Sequence, residues 1–571
     1  MTSLRTLILG GTKVSDRGLR HLRPLKNLET LHLWRTRITG KGLKEIVKLR
    51  RLKTLNVWNT DIDDKDLMTL RKMNSLSLLG VGRSGHKPPP VHGSIKPAFF
   101  LKQVTSSGVE KLRKALPETR IFFWGEEGAS AALSNLDRPK PVPVSGRGSR
   151  SETPIPTLGT RPDGVDWDRF LGPAANGSSP ETGLAWDWER ERPRLVWQRP
   201  AGEGYSAPTI SRGRLLLFDR EEDQLRLNGL NSETGEPIWT FRTPTAFVDQ
   251  LGYSHGPRAT PVVDGNRVYV MGPDGMLICL TLLDGRELWR VDTAKQFGVI
   301  QYFFGAGSSP IVEGDLLIAI IGGSPGQAAN VNLTRVRGDD SGIVAFDKWT
   351  GEVKYRITDA LASFASPRVV TVGDRRWGLA FARGELIGFE PAGGAIDFRF
   401  PWKARIKSGV SAATPAVVGD EVFITEAYDP GGCLLKIRPG GHEVVWQDEP
   451  RKRERRLQSH WSTPVVHEGF LYGLSGRYSS RCRLRCVDWK TGEVQWDAKS
   501  RGLASLIHAD GHLIVLTEYG VLHAVKADPE QYTPVARLTL REDPADETST
   551  PLLKYPAWPA PVLSHGLLYL R

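Results

Sequence analysis

The chain has little sulfur and no long apolar run. Its four cysteines stand at Cys279, Cys433, Cys482 and Cys486, and no two are adjacent. A disulfide-stapled fold needs a denser, shorter pattern, and a zinc centre needs four close ligands. Cys482 and Cys486 offer half a set with no second pair. Cys279 and Cys486 fall instead at equivalent repeat positions, which predicts packing inside strands. No stretch approaches the roughly 20 apolar residues of a membrane-crossing helix. The opening MTSLRTLILGG has no signal-peptide apolar core, no small-residue cleavage site and no lipobox Cys, so the chain as written carries no export signal. G-x-S-x-G, H-E-x-x-H and P-loop patterns are missing too. That excludes the nucleophile elbow, the zincin helix and the phosphate cradle; it does not reach sites assembled from distant segments.

Charge is not scarce, but it is dispersed. The formal net charge is +13, with acids interleaved among the bases. The densest run, RKRERR from Arg451 to Arg456, reads as a solvated loop. No nucleic-acid motif accompanies it, so no nucleic-acid partner is expected. What the chain has in plenty is turn chemistry and indole: Gly 60, Pro 39 and Trp 17.

The first organisation is a repeat of 24 residues. Leu4, Leu28, Leu52 and Leu76 share that spacing, as do Leu9, Leu33, Val57 and Val81, and Thr12, Thr36 and Thr60. The unit LxxLxLxxTxIxxxGLxxLxxL resembles a leucine-rich repeat, a short strand followed by a helix, whose apolar face is buried only by stacking. Thr stands where many such repeats carry Asn or Cys, so a hydroxyl ladder is expected inside. The fourth unit is interrupted by a Pro-rich insert at about 82–103 and resumes at Val104. The first unit begins almost at Met1 without a capping repeat, which suggests an internal start. Residues between the strand leucines should face the concave side: His32, Trp34, Arg35, Asn56, Trp58, Asn59 and Arg83. Trp34 and Trp58 share a phase on adjacent strands about 4.8 Å apart, a candidate partner surface flanked by Arg. The alternative is that the two indoles cover the strands or the inserted loop. Residues 125–165 are rich in Pro, Ser and Gly and read as a linker.

From Trp167 a longer period of roughly 50 residues takes over. Each unit opens with a small residue and Pro, then an apolar strand, a Gly turn and a second strand. Pro208, Pro261, Pro310, Pro367, Pro415, Pro464 and Pro561 mark the register, with Leu506 in the remaining unit. Most units continue into patterns such as IVAFDKWTGEVKY and LRCVDWKTGEVQW. There Gly351 and Gly492 supply a positive φ for a tight hairpin, Asp347 and Asp488 can accept from turn amides, and the closing aromatic can wedge between sheets. Eight such openings predict an eight-bladed β-propeller over 166–571. The segment PRLVWQRP, ending near Trp197, reads as the last strand of a blade begun by the C-terminal PAPVLSHGLLYLR.

These Asp-x-x-Thr-Gly-Glu-x-x-Trp units, with the lead-in WDRFLGPAANGSSPETGL, resemble the PQQ-like repeat propellers of bacteria. Leu171 stands where that lead-in pattern has Arg. The fold class is therefore mainly β, an eight-bladed PQQ-like propeller preceded by a short α/β leucine-rich-repeat solenoid at 1–124. The resemblance implies a cell-envelope protein that binds other proteins, with no quinone. It leaves a second reading, a PQQ-dependent alcohol or sugar dehydrogenase holding quinone and calcium. Such enzymes use an adjacent Cys-Cys pair, a stacking Trp and a Glu/Asn/Asp calcium group. The cysteine pair is missing here, and Glu426, Asp429 and Glu518 are calcium candidates only by exclusion. No catalytic residue and no cofactor is expected. If the propeller has a binding site, it lies at the channel mouth, just before each register Pro. The candidates there are Tyr205, His255, Arg258, Tyr302, Ser309, His460 and Trp461, with His255 and Arg258 expected to meet His460 and Trp461 across the axis. Otherwise these His and Ser side chains satisfy loop amides.

Overall fold

The computed structural model describes residues 4–10, 12–34, 36–58, 60–82, 104–124, 155–161, 164–249, 251–298, 304–324, 336–406, 409–449, 454–542, 546 and 549–571. The chain divides into two compact units, one built on Met1–Pro139 and the other on Lys140–Ala328 with Asn332–Arg571.

In the first unit the 24-residue spacing becomes a register. Thr6 pairs with Thr30, Thr30 with Thr54, and Thr54 with Leu78, in a parallel sheet of strands Thr6–Ile8, Thr30–His32, Thr54–Asn56, Leu78–Gly82 and Arg120–Trp124. Short helices at Asp16–Leu19, Gly40–Ile46, Asp64–Leu67 and Ser106–Ala115 alternate with them. Leu28, Leu52 and Leu76 stack in one buried core with Leu43 and Leu67. The threonines work differently from the expected ladder. Thr36 Oγ1 donates to Leu33 O and Thr60 Oγ1 to Val57 O, each at 2.6 Å. Each hydroxyl thus closes the turn of its own repeat.

The second unit is built of antiparallel meanders. Six four-stranded sheets follow one another, their first strands being Thr209–Ser211, Val262–Asp264, Ile311–Glu313, Arg368–Val372, Ala416–Val418 and Val465–His467. A seventh begins at Ala504–Ala509 and takes Ser178–Ser179 as an extra parallel strand. Val562–Ser564 and Leu567–Tyr569 pair as a two-stranded sheet. The lead-in segment shows how the sheets are arranged. Trp167 exchanges backbone bonds with Ile210 of the first sheet, Asp168 O accepts from Val263 N of the second, and Ala174 O accepts from Arg368 of the fourth. Ser178 then pairs with His508 of the seventh. One short segment can touch all of these inner strands only if they surround a common axis, which is a β-propeller.

The repeat residues hold the ring at two radii. At the rim, an aromatic ending one sheet donates to a carbonyl in the turn of the next. Trp239 Nε1 reaches Leu282 O at 3.1 Å, Trp289 Nε1 Lys348 O at 3.1 Å, Trp446 Nε1 Trp489 O at 2.8 Å and Trp496 Nε1 Asp528 O at 2.8 Å. Gly351 is needed twice over in this dock. Its φ is +76°, and a Cβ there would meet the Trp289 ring at 2.8 Å. Asp347 Oδ1 pins the same turn by accepting from the amides of Trp349 and Thr350.

Near the axis, the residues before Pro261, Pro310, Pro367, Pro415 and Pro464 form a belt. Thr260 N donates to Ser309 Oγ (2.8 Å), Ser309 N to Ser366 Oγ (3.0 Å), Ser366 N to Thr414 Oγ1 (3.1 Å) and Thr414 N to Thr463 Oγ1 (3.0 Å). A residue before Pro is held extended, and its small hydroxyl then meets the amide of the preceding sheet.

Two boundaries differ from expectation. Leu158 N donates to Arg212 O, Arg214 donates to Pro156 O and Arg161 pairs with Glu233. Residues 155–161, expected in a linker, therefore pack on the propeller, because their carbonyls and amides find partners there. PRLVWQRP forms no strand, and Leu195 and Val196 are exposed. Trp197 nonetheless docks as a blade-closing indole, donating to Ser232 O at 2.9 Å. The insert at 83–103 and residues 125–154 lie outside the described residues.

Replacing Trp289 by Ala should lower the unfolding free energy by about 3–5 kcal/mol, the usual cost of a buried aromatic truncation. Ser366→Ala, which strands the Ser309 amide, should cost about 1–3 kcal/mol. Guanidinium unfolding followed by Trp fluorescence measures both, and equal costs would contradict the unequal roles assigned here to rim and belt.

Candidate functional site

The loops that precede the register prolines meet at one mouth of the ring. Three residues before Pro, five of the seven units carry a large side chain, Tyr205, Arg258, Phe364, Trp461 and Trp558, while Gly307 and Ala412 stand there in the other two. Trp558 stands at the centre. Its ring centroid lies 4.9 Å from Tyr205, 5.3 Å from Tyr253 and 4.8 Å from Trp461. From Trp461 the aromatic contacts continue to His460 at 5.0 Å and on to Tyr428 at 5.3 Å. From Tyr253 they continue to Phe304 and Phe364, at 6.0 and 5.5 Å. Offset and tilted rings at these separations attract one another beyond simple burial.

The predicted meeting of the two pairs occurs in part, and it is indirect. Arg258 lies 5.4 Å over the Tyr205 ring, Tyr205 packs on Trp558, and Trp558 packs on Trp461 beside His460. His255 does not join. Its Nδ1 accepts from Asp249 N at 3.0 Å and its own amide donates to Glu203, so the imidazole clasps its loop. Burial disfavours its charged form and lowers its pKa. Arg258 is also committed: Nη2 donates to Asp249 Oδ2 at 2.6 Å, and Nη1 to Phe304 O at 2.9 Å. The Asp249 side chain is 0% exposed, so this guanidinium is the counter-ion of a buried carboxylate. Ser309 belongs to the belt. Tyr205 donates its hydroxyl to Tyr253 O. Tyr302 lies outside the described residues.

Several polar atoms at the mouth have no hydrogen-bond partner among the described residues: Trp461 Nε1, Trp558 Nε1, His460 Nδ1 and Ser462 Oγ. Buried polar groups are rarely left so. His460 Nε2 and the Tyr428 hydroxyl share one hydrogen bond at 3.0 Å. Burial, with help from Arg477, lowers its pKa to about 4, so it is neutral near pH 7. Arg477 lies over the rings of Tyr428 (5.0 Å) and Tyr478 (4.7 Å). Around this centre Tyr253, Tyr478, Tyr519 and Tyr555 are exposed, Tyr478 to 54%. The mouth therefore offers stacking faces, unused donors and one arginine held by rings.

The calcium candidates have other employment. Glu426 accepts from Ser411 Oγ at 2.9 Å and from the Tyr428 amide, Asp429 pairs with Arg455, and Glu518 accepts from Leu503 N. Among the described residues no three His, Cys, Asp or Glu side chains gather as a metal site, and all four cysteines are buried thiols. These residues do not fit a calcium-bound quinone.

On the strand face of the first unit, His32 and Asn56 are only 4% and 6% exposed, not open to a partner as expected. Asn56 Oδ1 turns back to accept from Trp58 N. Trp34 and Trp58 are half-buried, and the Trp34 ring lies against Gly10 of the preceding repeat. Arg35, Asn59 and Arg83 lie outside the described residues.

Trp558 was absent from the candidates read in the sequence. Its signal was available: it stands three residues before Pro561, as Arg258 and Trp461 stand before Pro261 and Pro464.

A family model described as outer membrane protein assembly factor BamB matches residues 178–326, 250–399 and 319–530. This chain belongs to that family. BamB of Yersinia pestis is 20% identical over 321 residues, which are 55% of this chain and 74% of that one. BamB of Nitrosomonas eutropha is 24% identical over 325 residues, 53% of this chain and 65% of that one. Among solved structures, BamB from Moraxella catarrhalis aligns with a TM-score of 0.42 at 15% identity, over 60% of this chain and 89% of that one. Quinohemoprotein alcohol dehydrogenase from Comamonas testosteroni aligns with 0.46 at 12%, over 69% and 74%. At these levels neither structure discriminates between a binding protein and a dehydrogenase. The matched span of the BamB family contains Arg258 and the His460–Trp461 pair but not Trp558.

Arg258→Ala removes the partner of a buried charge and should cost about 3–5 kcal/mol of stability, read as a lower Tm. Glu426 should leave a pH signature. Burial raises its pKa from 4.5 to about 7, so its stabilising share is full below 4.5 and is lost as pH rises through 7. Glu426→Gln should therefore unfold at higher temperature than the parent above pH 7, with the difference shrinking towards pH 4.5. A difference independent of pH would show that the carboxyl does not titrate there.

Proposed function

We propose that this protein is a non-catalytic interaction scaffold of the bacterial cell envelope, serving outer-membrane protein assembly through protein partners. Membership of the BamB family carries this reading, and the aromatic mouth supports it. Exposed tyrosines around desolvated tryptophans, with an arginine among them, have the composition of an interface hot spot. We read the ring as eight-bladed, the last blade being shared by Trp197 and the strands after Pro561. The first unit is read as a leucine-rich-repeat module over residues 1–124, a second rigid surface with Trp34 and Trp58 as its candidate contacts. The segment up to 154 is read as the link between the two modules.

The propeller is read as working without quinone. Glu426, Asp429 and Glu518 each serve a hydrogen bond or ion pair of the fold, which supports reading them as structural groups rather than calcium ligands. No helix among the described residues is long and apolar enough to cross a membrane, so envelope attachment is not assigned to such a helix.

A photo-crosslinking amino acid at position 478 or 253, in cells of the native host, tests the scaffold. Adducts with a component of the outer-membrane assembly machinery are expected, and Trp461→Ala should reduce them at least severalfold at unchanged protein level. Failure to cross-link from either position would overturn the reading. So would dye-linked alcohol oxidation by protein reconstituted with quinone and calcium.

A further inference from the structure

A second polar centre lies deeper, below the belt. The lead-in residues Arg169, Phe170, Leu171 and Ala175 close over the inner strands of the third and fourth sheets and leave a cavity of about 20 Å³. That is room for one water or one ion of similar radius. Arg368 lines it and is 6% exposed. Its guanidinium donates to Pro415 O and Ala174 O, both at 3.2 Å, while Nε has no partner. No carboxylate among the described residues pairs with it; burial alone lowers its pKa, to about 10, so it is still a cation near pH 7. Arg169 also lines the cavity but is neutralised by Asp168 at 2.8 Å.

The other polar walls are the belt hydroxyls of Ser309, Ser366 and Thr414. Each oxygen already accepts an amide N–H, from Thr260, Ser309 and Ser366 respectively. Each hydroxyl therefore has its own proton left to donate, and none of the three has an acceptor among the described residues. A buried cation without a paired carboxylate among the described residues and three hydroxyl residues with protons left to donate line one small space, whose lining includes no carboxylate. A buried charge this poorly paired is expensive, and a bound counter-charge relieves it.

We propose that the ring axis holds one small monovalent anion, of chloride size, between Arg368 Nε and the hydroxyls of Ser309, Ser366 and Thr414. The anion is a structural ligand that ties the lead-in segment to the inner strands. Water is the rival occupant, and it would leave the positive charge unmatched.

The test uses the full chain. Tm is measured against chloride at constant ionic strength, with gluconate as the replacement ion too large for the cavity. Tm should rise with the logarithm of chloride once the site begins to fill, and bromide should substitute. Crystals grown in bromide should show an anomalous peak within hydrogen-bond reach of Arg368 Nε. Arg368→Gln should lose both the chloride dependence and the peak. An equal rise in gluconate, or a chloride response that survives in Arg368→Gln, would overturn the proposal. So would a bromide peak without any chloride response, which would mark an adventitious ion only. If Arg368→Gln does not fold, the parent's chloride response and bromide map decide the matter.

Discussion

Neighbouring sheets of the ring are fastened at two radii, the rim bond at the junctions closed by an indole or phenol and the axial bond along the run from Thr260 to Thr463. At the rim an indole or phenol reaches over a glycine turn to a neighbouring carbonyl; near the axis a hydroxyl before proline accepts a neighbouring amide. Both contacts cross between sheets, so neither exists in an isolated repeat. The rim contact contributes buried area and, where the closing residue is Trp or Tyr, one hydrogen bond. The belt contributes little area but satisfies an amide that has no ladder partner. Together they set the spacing of the inner strands, and everything at the mouth and on the axis inherits that spacing.

The mouth is the clearest inheritance. A residue three positions before the register proline stands just outside the belt, so the same offset in different sheets points to the same place. The side chains there differ in what they do. Trp461 and Trp558 present faces and unused N–H groups, whereas Arg258 is consumed by the buried Asp249. Convergence alone thus does not identify a ligand contact. The state of each polar atom does, because a donor already bonded within the loop has little to offer a partner.

Burial sorts the ionisable groups in the same way. Glu426 and Arg368 are both enclosed, but Glu426 can escape its charge near neutral pH and accepts two hydrogen bonds, whereas an arginine cannot deprotonate there. The cost of an enclosed cation has to be met by acceptors or by an anion. Two backbone carbonyls meet part of it for Arg368.

The sequence by itself determined what is local and periodic. The 24-residue spacing determined the parallel register, and the Asp-x-x-Thr-Gly turn determined the hairpins, since a positive φ and an accepting carboxylate act within a few residues. The prolines set where each inner strand starts, and the aromatic ends were legible as wedges. Tertiary structure decided what depends on partners far apart in the chain. Thr36 and Thr60 turned inward to their own repeats, His32 and Asn56 became buried, and PRLVWQRP kept its indole dock without forming a strand. It also made Arg258 a counter-ion, brought Trp558 into the centre of the mouth, and left Arg368 enclosed without a paired carboxylate among the described residues. A side chain's composition states what it can bond; only the packed ring decides which of those bonds are already taken.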